Sequence, residues 1–148
     1  GSGMSDKDRL KSRISTLLDS STIQIIIRDE FIHDREVQPY FQIADFVLAT
    51  YQKHIGMSNI LIRAAFAQKP VISSNYGLMG EITRHYKLGL AIDSTKAMAI
   101  AEGLTKFLTE FPDKYCDHHK MQQFARQNSA ANFARTIFQH ILTIKPVA

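Results

Sequence analysis

Two stretches of this chain set glycine and small polar residues just before a helical pattern, an arrangement through which backbone can hold a phosphate. The first is Thr50-Tyr51-Gln52-Lys53-His54-Ile55-Gly56-Met57-Ser58. A helix start exposes unpaired N–H groups and a partial positive charge. Gly56 admits close backbone approach, Lys53 and His54 add positive charge, and Ser58 offers a hydroxyl. On local grounds a turn at Gly56 and a helix cap at Ser58 explain the same residues and are the commoner case. The second stretch, Ser73-Ser74-Asn75-Tyr76-Gly77-Leu78-Met79-Gly80 followed by Glu81, has the same form. It lacks the Gly-x-Gly-x-x-Gly spacing of a dinucleotide loop, so an ordinary glycine turn competes with a binding role. Asn59 and Arg63 lie one helical turn apart and share a face, from which Arg63 either reaches a ligand or joins a surface ion pair.

Other chemistry finds less support. His118 and His119 are neighbours on an expected helix, where successive side chains diverge by about 100 degrees, so the pair cannot grip one metal ion as an i, i+4 pair does. Cys116 beside them has neither a nucleophile's spacing nor an orienting third group. As the single cysteine it also cannot form an internal disulfide. No metal, no bound cofactor and no catalytic residue are assigned. Lys and Arg outnumber Asp and Glu by 18 to 14 but are scattered from Lys7 to Lys145, unlike the basic stripe of a nucleic-acid binder. That balance suits a small phosphorylated ligand or an anionic membrane face equally.

The elements that must position these loops follow from periodicity. Asp6 to Leu18 reads as an amphipathic helix, and Thr22 to Ile27, rich in β-branched residues, reads as a strand covered on both faces. Asp34 can cap a short helix whose Val37, Phe41 and Ala44 share a face. Strands are expected at Asp45 to Ala49, Val71 to Ser73 and Leu88 to Ile92, alternating with helices at Asn59 to Gln68 and Glu81 to Lys87. Helices over Thr95 to Glu110, Asp113 to Gln127 and Ala130 to Thr143 close the chain. The pattern predicts an α/β, Rossmann-like three-layer domain with a short parallel sheet of about four strands and a helical C-terminal tail. Ligands of such sheets settle at the carboxyl ends of the strands, which is where both glycine loops fall. The 148 residues, 45% of them apolar, suffice for one domain over 4–148, with Gly1-Ser2-Gly3 read as an expression scar. No charged-then-apolar leader or long apolar run is seen, so a cytoplasmic protein, free or membrane-peripheral, is expected.

The order of these motifs resembles that of the family-four glycosyltransferases, also called glycosyl transferases group 1. The resemblance rests on Ala44-Asp45-Phe46-Val47-Leu48-Ala49, on Gly56-Met57-Ser58-Asn59 leading into Arg63-Ala64-Ala65, and on Gln68-Lys69-Pro70-Val71-Ile72-Ser73. Gly77 to Glu81 and Gly89-Leu90-Ala91-Ile92-Asp93 continue it, and the whole runs from about Arg9 to Leu142. It implies the donor-binding half of a GT-B fold, in which backbone N–H groups matching Gly56, Met57 and Ser58 hold the diphosphate and sugar of a UDP- or GDP-sugar. Phe31 and Ile32 would lie near the base, and an acceptor domain or another chain would complete the site. Family members carry two glutamates, the first recognising the donor sugar and the second the ribose hydroxyls. Ile55 and Arg63 stand at the matching positions, and Glu30 replaces a usual glycine. Losing such acceptors forfeits roughly 1.5 to 3 kcal/mol per charged hydrogen bond. The strand, helix and strand that usually open the domain are also missing, which predicts either relocation of the Thr22 to Ile27 strand or a sheet edge open to another copy. A degenerate module for assembly or partner binding is the alternative to a donor-binding domain.

Overall fold

The computed structural model describes residues 5–18 and 23–143. Residues 1–3 and Thr22 lie outside them. The chain divides into two compact units, Gly1–Ile32 and His33–Ala148.

In the first unit, α1 spans Asp6–Leu18, the range that periodicity predicts. Ser5 starts it: its hydroxyl accepts from the Asp8 N–H at 3.2 Å and donates to the Asp8 carboxylate at 2.6 Å, a reciprocal cap that satisfies an otherwise unpaired donor. An ion pair joins Lys7 to Asp29. The expected strand over Thr22 to Ile27 does not form within the described residues: the chain from Ile23 to Asp29 belongs to no β-ladder. Ile23 and Ile26 are 65% and 74% exposed. β-branched composition records a preference for extended backbone, whereas a strand also needs a neighbour to take up its N–H and C=O groups. The sheet therefore has three strands.

That sheet lies in the second unit, where α2 (Asp34–Ile43) leads to β1 (Val47–Ala49). Asp34 is the first helical residue of α2; His33 holds the capping position. Then follow α3 (Asn59–Phe66), β2 (Val71–Ser74), α4 (Gly77–His85), β3 (Gly89–Ile92) and α5 (Ala97–Thr109). A 3-10 turn at Pro112–Tyr115, α6 (His118–Gln127) and α7 (Ala130–Thr143) complete it. The single helix expected over Asp113 to Gln127 is thus two elements. Asp117 divides them, because its carboxylate accepts from the Lys120 N–H at 3.1 Å and starts a new helix.

The strands are parallel in the order β1-β2-β3, with Val47 opposite Val71 and Val71 opposite Gly89. Every residue of β2 is buried, as expected of a central strand with a helix layer on each side. Alternation sends Val71 to one face, where it joins Leu61, Ala64, Met79, Met121 and Phe124 from α3, α4 and α6. Ile72 points to the other, where α5 comes so near that a side chain at Gly103 would meet the Ile72 methyl at 3.5 Å. The result is the α/β, Rossmann-like layering predicted, three strands wide. Among the described residues no helix is long and apolar enough to cross a membrane.

Candidate functional site

Because the three strands run in parallel, their carboxyl ends meet on one edge, and short polar side chains tie them there. The buried hydroxyl of Ser94, just past β3, lies 2.8 Å from the Tyr51 carbonyl beyond β1 and 3.1 Å from the Ser74 hydroxyl at the end of β2. The Gln52 amide donates to the Ser94 carbonyl at 3.3 Å, and the Asn75 N–H donates to the Ile92 carbonyl at 2.7 Å. Ser94 is a residue that the sequence reading passes over, and Ser74 enters it only as a member of the second stretch. Their signal is positional: each is a small hydroxyl residue where a strand hands over to a loop, with room for a bond to its neighbour.

On this edge the loop of residues 50–58 and the start of α4 touch, so the two glycine stretches share one rim. The Leu78 N–H donates to the Ile55 carbonyl at 3.1 Å. Gly77, at φ 58, lies so close beneath that a Cβ there would stand 2.9 Å from the carbonyl oxygens of both His54 and Ile55. Only a residue that tolerates a left-handed backbone and has no side chain fits. Gly80 packs as tightly on Asn75, whose backbone an added Cβ would overlap. The expected loop from Ser73 to Gly80 is therefore shorter than predicted, since α4 begins at Gly77 rather than Glu81. Glycines read as turn signals are here contact points between a helix and two carbonyl-bearing segments.

Gly56 differs. Its φ is not in the left-handed range, and the nearest neighbour of a Cβ built there is the His54 Nε2 at 3.8 Å. Turn conformation does not require glycine here, and among the described residues nothing beyond its chain neighbours comes closer to that space. Around it stand Tyr51 and His54, with ring centroids 5.5 Å apart, Lys53 at φ 55, and Ile55, 74% exposed. Ser58 caps α3, accepting from the Ile60 N–H at 3.4 Å through its hydroxyl oxygen. Tyr76 adds a half-exposed ring on the α4 side, with Asn75 and Glu81 exposed near it in sequence. Beyond β3, Asp93 accepts from the Thr95 hydroxyl at 2.5 Å and pairs with Lys96 at 3.2 Å. These two partners, Thr95 foremost, hold its carboxyl below the usual carboxylate range.

A hollow of about 970 Å³ lies along α3, lined by Gln38, Met57, Asn59, Arg63, Phe66 and Phe133 among others. It meets the rim through Met57 and Asn59, while Tyr51, Lys53 and His54 stay outside it. Asn59 and Arg63 do line one space, as their spacing predicts. The Arg63 side chain is only 18% exposed, and its guanidinium is already paired with Asp34. Arg63 is thereby a cross-link between α3 and α2, reinforced by the Gln38 amide donating to the Arg63 carbonyl at 3.2 Å. Phe31 and Ile32, expected beside a base, belong to the other compact unit, where Phe31 is 85% exposed.

Burial, helped by Asp113 and Asp117, pushes the Cys116 thiol up to about 11. That shift keeps the sulfur a protonated thiol at neutral pH.

Comparison with known proteins agrees with the geometry at the level of family. The family described as Glycosyl transferases group 1 matches residues 2–128. A relative provisionally named as a glycosyltransferase, YtcC of Bacillus subtilis (strain 168), is 28% identical over 129 residues, 81% of this chain. The chain spans 31% of that relative's length. No solved structure matches it significantly.

Proposed function

The chain belongs to the glycosyl transferases group 1 family, and on that premise we propose that its rim binds the diphosphate and sugar of a nucleotide-sugar donor for hexosyl transfer within a larger protein. Backbone N–H groups at Gly56, Met57 and Ser58 take the diphosphate, with Lys53 and His54 supplying positive charge and Asn59 a side-chain amide. Tyr51 and Tyr76 flank the ligand, and an acceptor domain or another chain closes the site. The observation that carries this reading is the open space at Gly56, next to a second loop already docked on the same backbone.

Calorimetric titration with UDP- and GDP-sugars tests it. Weak binding is expected, because Ile55 offers no acceptor to a donor hydroxyl. An Ile55→Glu variant restores one and should tighten binding about tenfold or more, the worth of a charged hydrogen bond. No heat from either protein at millimolar donor would remove the reading.

A second reading, a module that keeps the fold for assembly or partner binding, draws on Arg63: its guanidinium is held by Asp34 and stands where the family carries a ribose-binding acid. Sugar transfer by the full-length protein would exclude it.

A further inference from the structure

The edge of the sheet opposite the rim holds a cluster that the donor-binding reading does not use. α3 runs back against the strands, so Gln68, two residues beyond its end, lies at the amino-end edge. The chain after α4 reaches the same edge, where the Lys87 carbonyl accepts from the Asp117 N–H at 2.9 Å. There the 3-10 turn, opened by Pro112, sets Asp113 and Cys116 one turn apart, and the Asp117 cap turns the chain so that His118 faces back toward both. Within this corner His118 Nε2 lies 3.4 Å from an Asp113 carboxylate oxygen and 4.0 Å from the Cys116 sulfur, and sulfur and carboxylate oxygen are 4.0 Å apart.

From this convergence we propose that Asp113, Cys116 and His118 form a binding site for a zinc-class divalent metal ion. Tetrahedral zinc, with bonds of about 2.0 to 2.3 Å, sets its ligand atoms about 3.4 to 3.6 Å from one another. The oxygen-to-nitrogen edge already has that length, and the two edges to sulfur need to close by about half an ångström, within the ordinary reach of side-chain rotation. A donor set of one sulfur, one nitrogen and one oxygen suits borderline ions such as zinc and cobalt and is poor for magnesium or calcium, which take oxygen ligands.

A residue outside the cluster supplies an independent argument. The Gln68 amide nitrogen donates to the Ala65 carbonyl at 2.7 Å, which turns its oxygen toward His118 Nδ1 at 3.2 Å. An oxygen there requires the ring proton on Nδ1, so in neutral His118 the lone pair is on Nε2, the atom that faces Cys116 and Asp113. Orientation of a ligating imidazole by a hydrogen bond to its other nitrogen is the habit of metal sites. Binding replaces the thiol proton, which passes to solvent, with the ion, and a water completes the fourth position. On the edge away from residues 50–59 and 73–81, the ion pins the 3-10 turn to α6 and, through Gln68, to the end of α3. His119, the neighbouring histidine, takes no part.

Titration of the reduced protein with Co²⁺, read by thiolate-to-cobalt charge transfer and by the visible ligand-field bands, tests the site. One ion per chain is expected, displaced by Zn²⁺, and zinc should raise the melting temperature. Cys116→Ser and His118→Ala should each abolish tight binding with unchanged far-ultraviolet circular dichroism, and Asp113→Asn should weaken it. Gln68→Ala, which removes the orienting bond together with its anchor on the Ala65 carbonyl, should cost about 10- to 100-fold in affinity. His119→Ala should change nothing. Absence of the charge-transfer band in the wild-type protein would leave His118 and Asp113 as a simple ion pair and overturn the proposal. So would one ion per two chains, or a band indifferent to both His118→Ala and Asp113→Asn, because the sulfur would then be binding without the other two residues.

Discussion

The loop after β1 and the start of α4 after β2 look alike as strings of residues, and they use glycine in opposite ways. At α4, Gly77 and Gly80 are enclosed by the chain itself: the carbonyls of His54 and Ile55 press on one, and Asn75 on the other. In the first loop Gly56 stays out of the left-handed range, and among the described residues the nearest atom beyond its chain neighbours that a Cβ there would meet is 3.8 Å away. Glycine at the carboxyl edge of a parallel sheet therefore points to a ligand only where no part of the fold explains it. The packed pair builds the rim, and the open one leaves room on it.

Substitution separates the two roles. Gly80→Ala should cost most, about 3 kcal/mol in chemical denaturation, since a methyl overlaps the Asn75 backbone and must push the second loop off its strand. Gly77→Ala should cost about 2 kcal/mol, from the left-handed backbone and contact with two carbonyls. A smaller effect is expected from acid. The folded-state value of Asp93 is below its ordinary 3.8, so its contribution is present above that value and is lost as pH falls through the lowered one. Asp93→Asn should flatten that part of the acid unfolding curve. Least of all, Gly56→Ala should leave stability within about 0.5 kcal/mol of wild type. A large loss there, or a negligible one at Gly80, would break the distinction between the two loops.

Much of this arrangement is legible in the residues. The amphipathic spacing of Leu10 and Ile14 gives α1, α7 spans the expected Ala130 to Thr143, and Ser58 caps α3 as its type suggests. Meeting of residues 50–59 with 73–81 follows from adjacent parallel strands. What escapes a reading by period is whatever depends on a partner. The isoleucines at 23 and 25–27 carry the composition of a buried strand and join no ladder. Gly77 and Gly80 read as turn residues because the carbonyls they pack on are remote in sequence. The gathering of Asp113, Cys116 and His118 depends on a helix break at Asp117, and the glutamine bonded to His118 is fifty positions away. Arg63 is the intermediate case: its face is predictable, and its engagement by Asp34 is not.

Backbone amide resonances followed during titration with a nucleotide-sugar give the most direct test of the central claim, that the rim holds a donor's diphosphate. Saturable shifts at Gly56, Met57 and Ser58, reproduced by the nucleoside diphosphate and absent with the nucleoside alone, are the predicted result. Shifts confined to the hollow along α3, at Gln38, Phe66 and Phe133, with Gly56 unmoved, would contradict it.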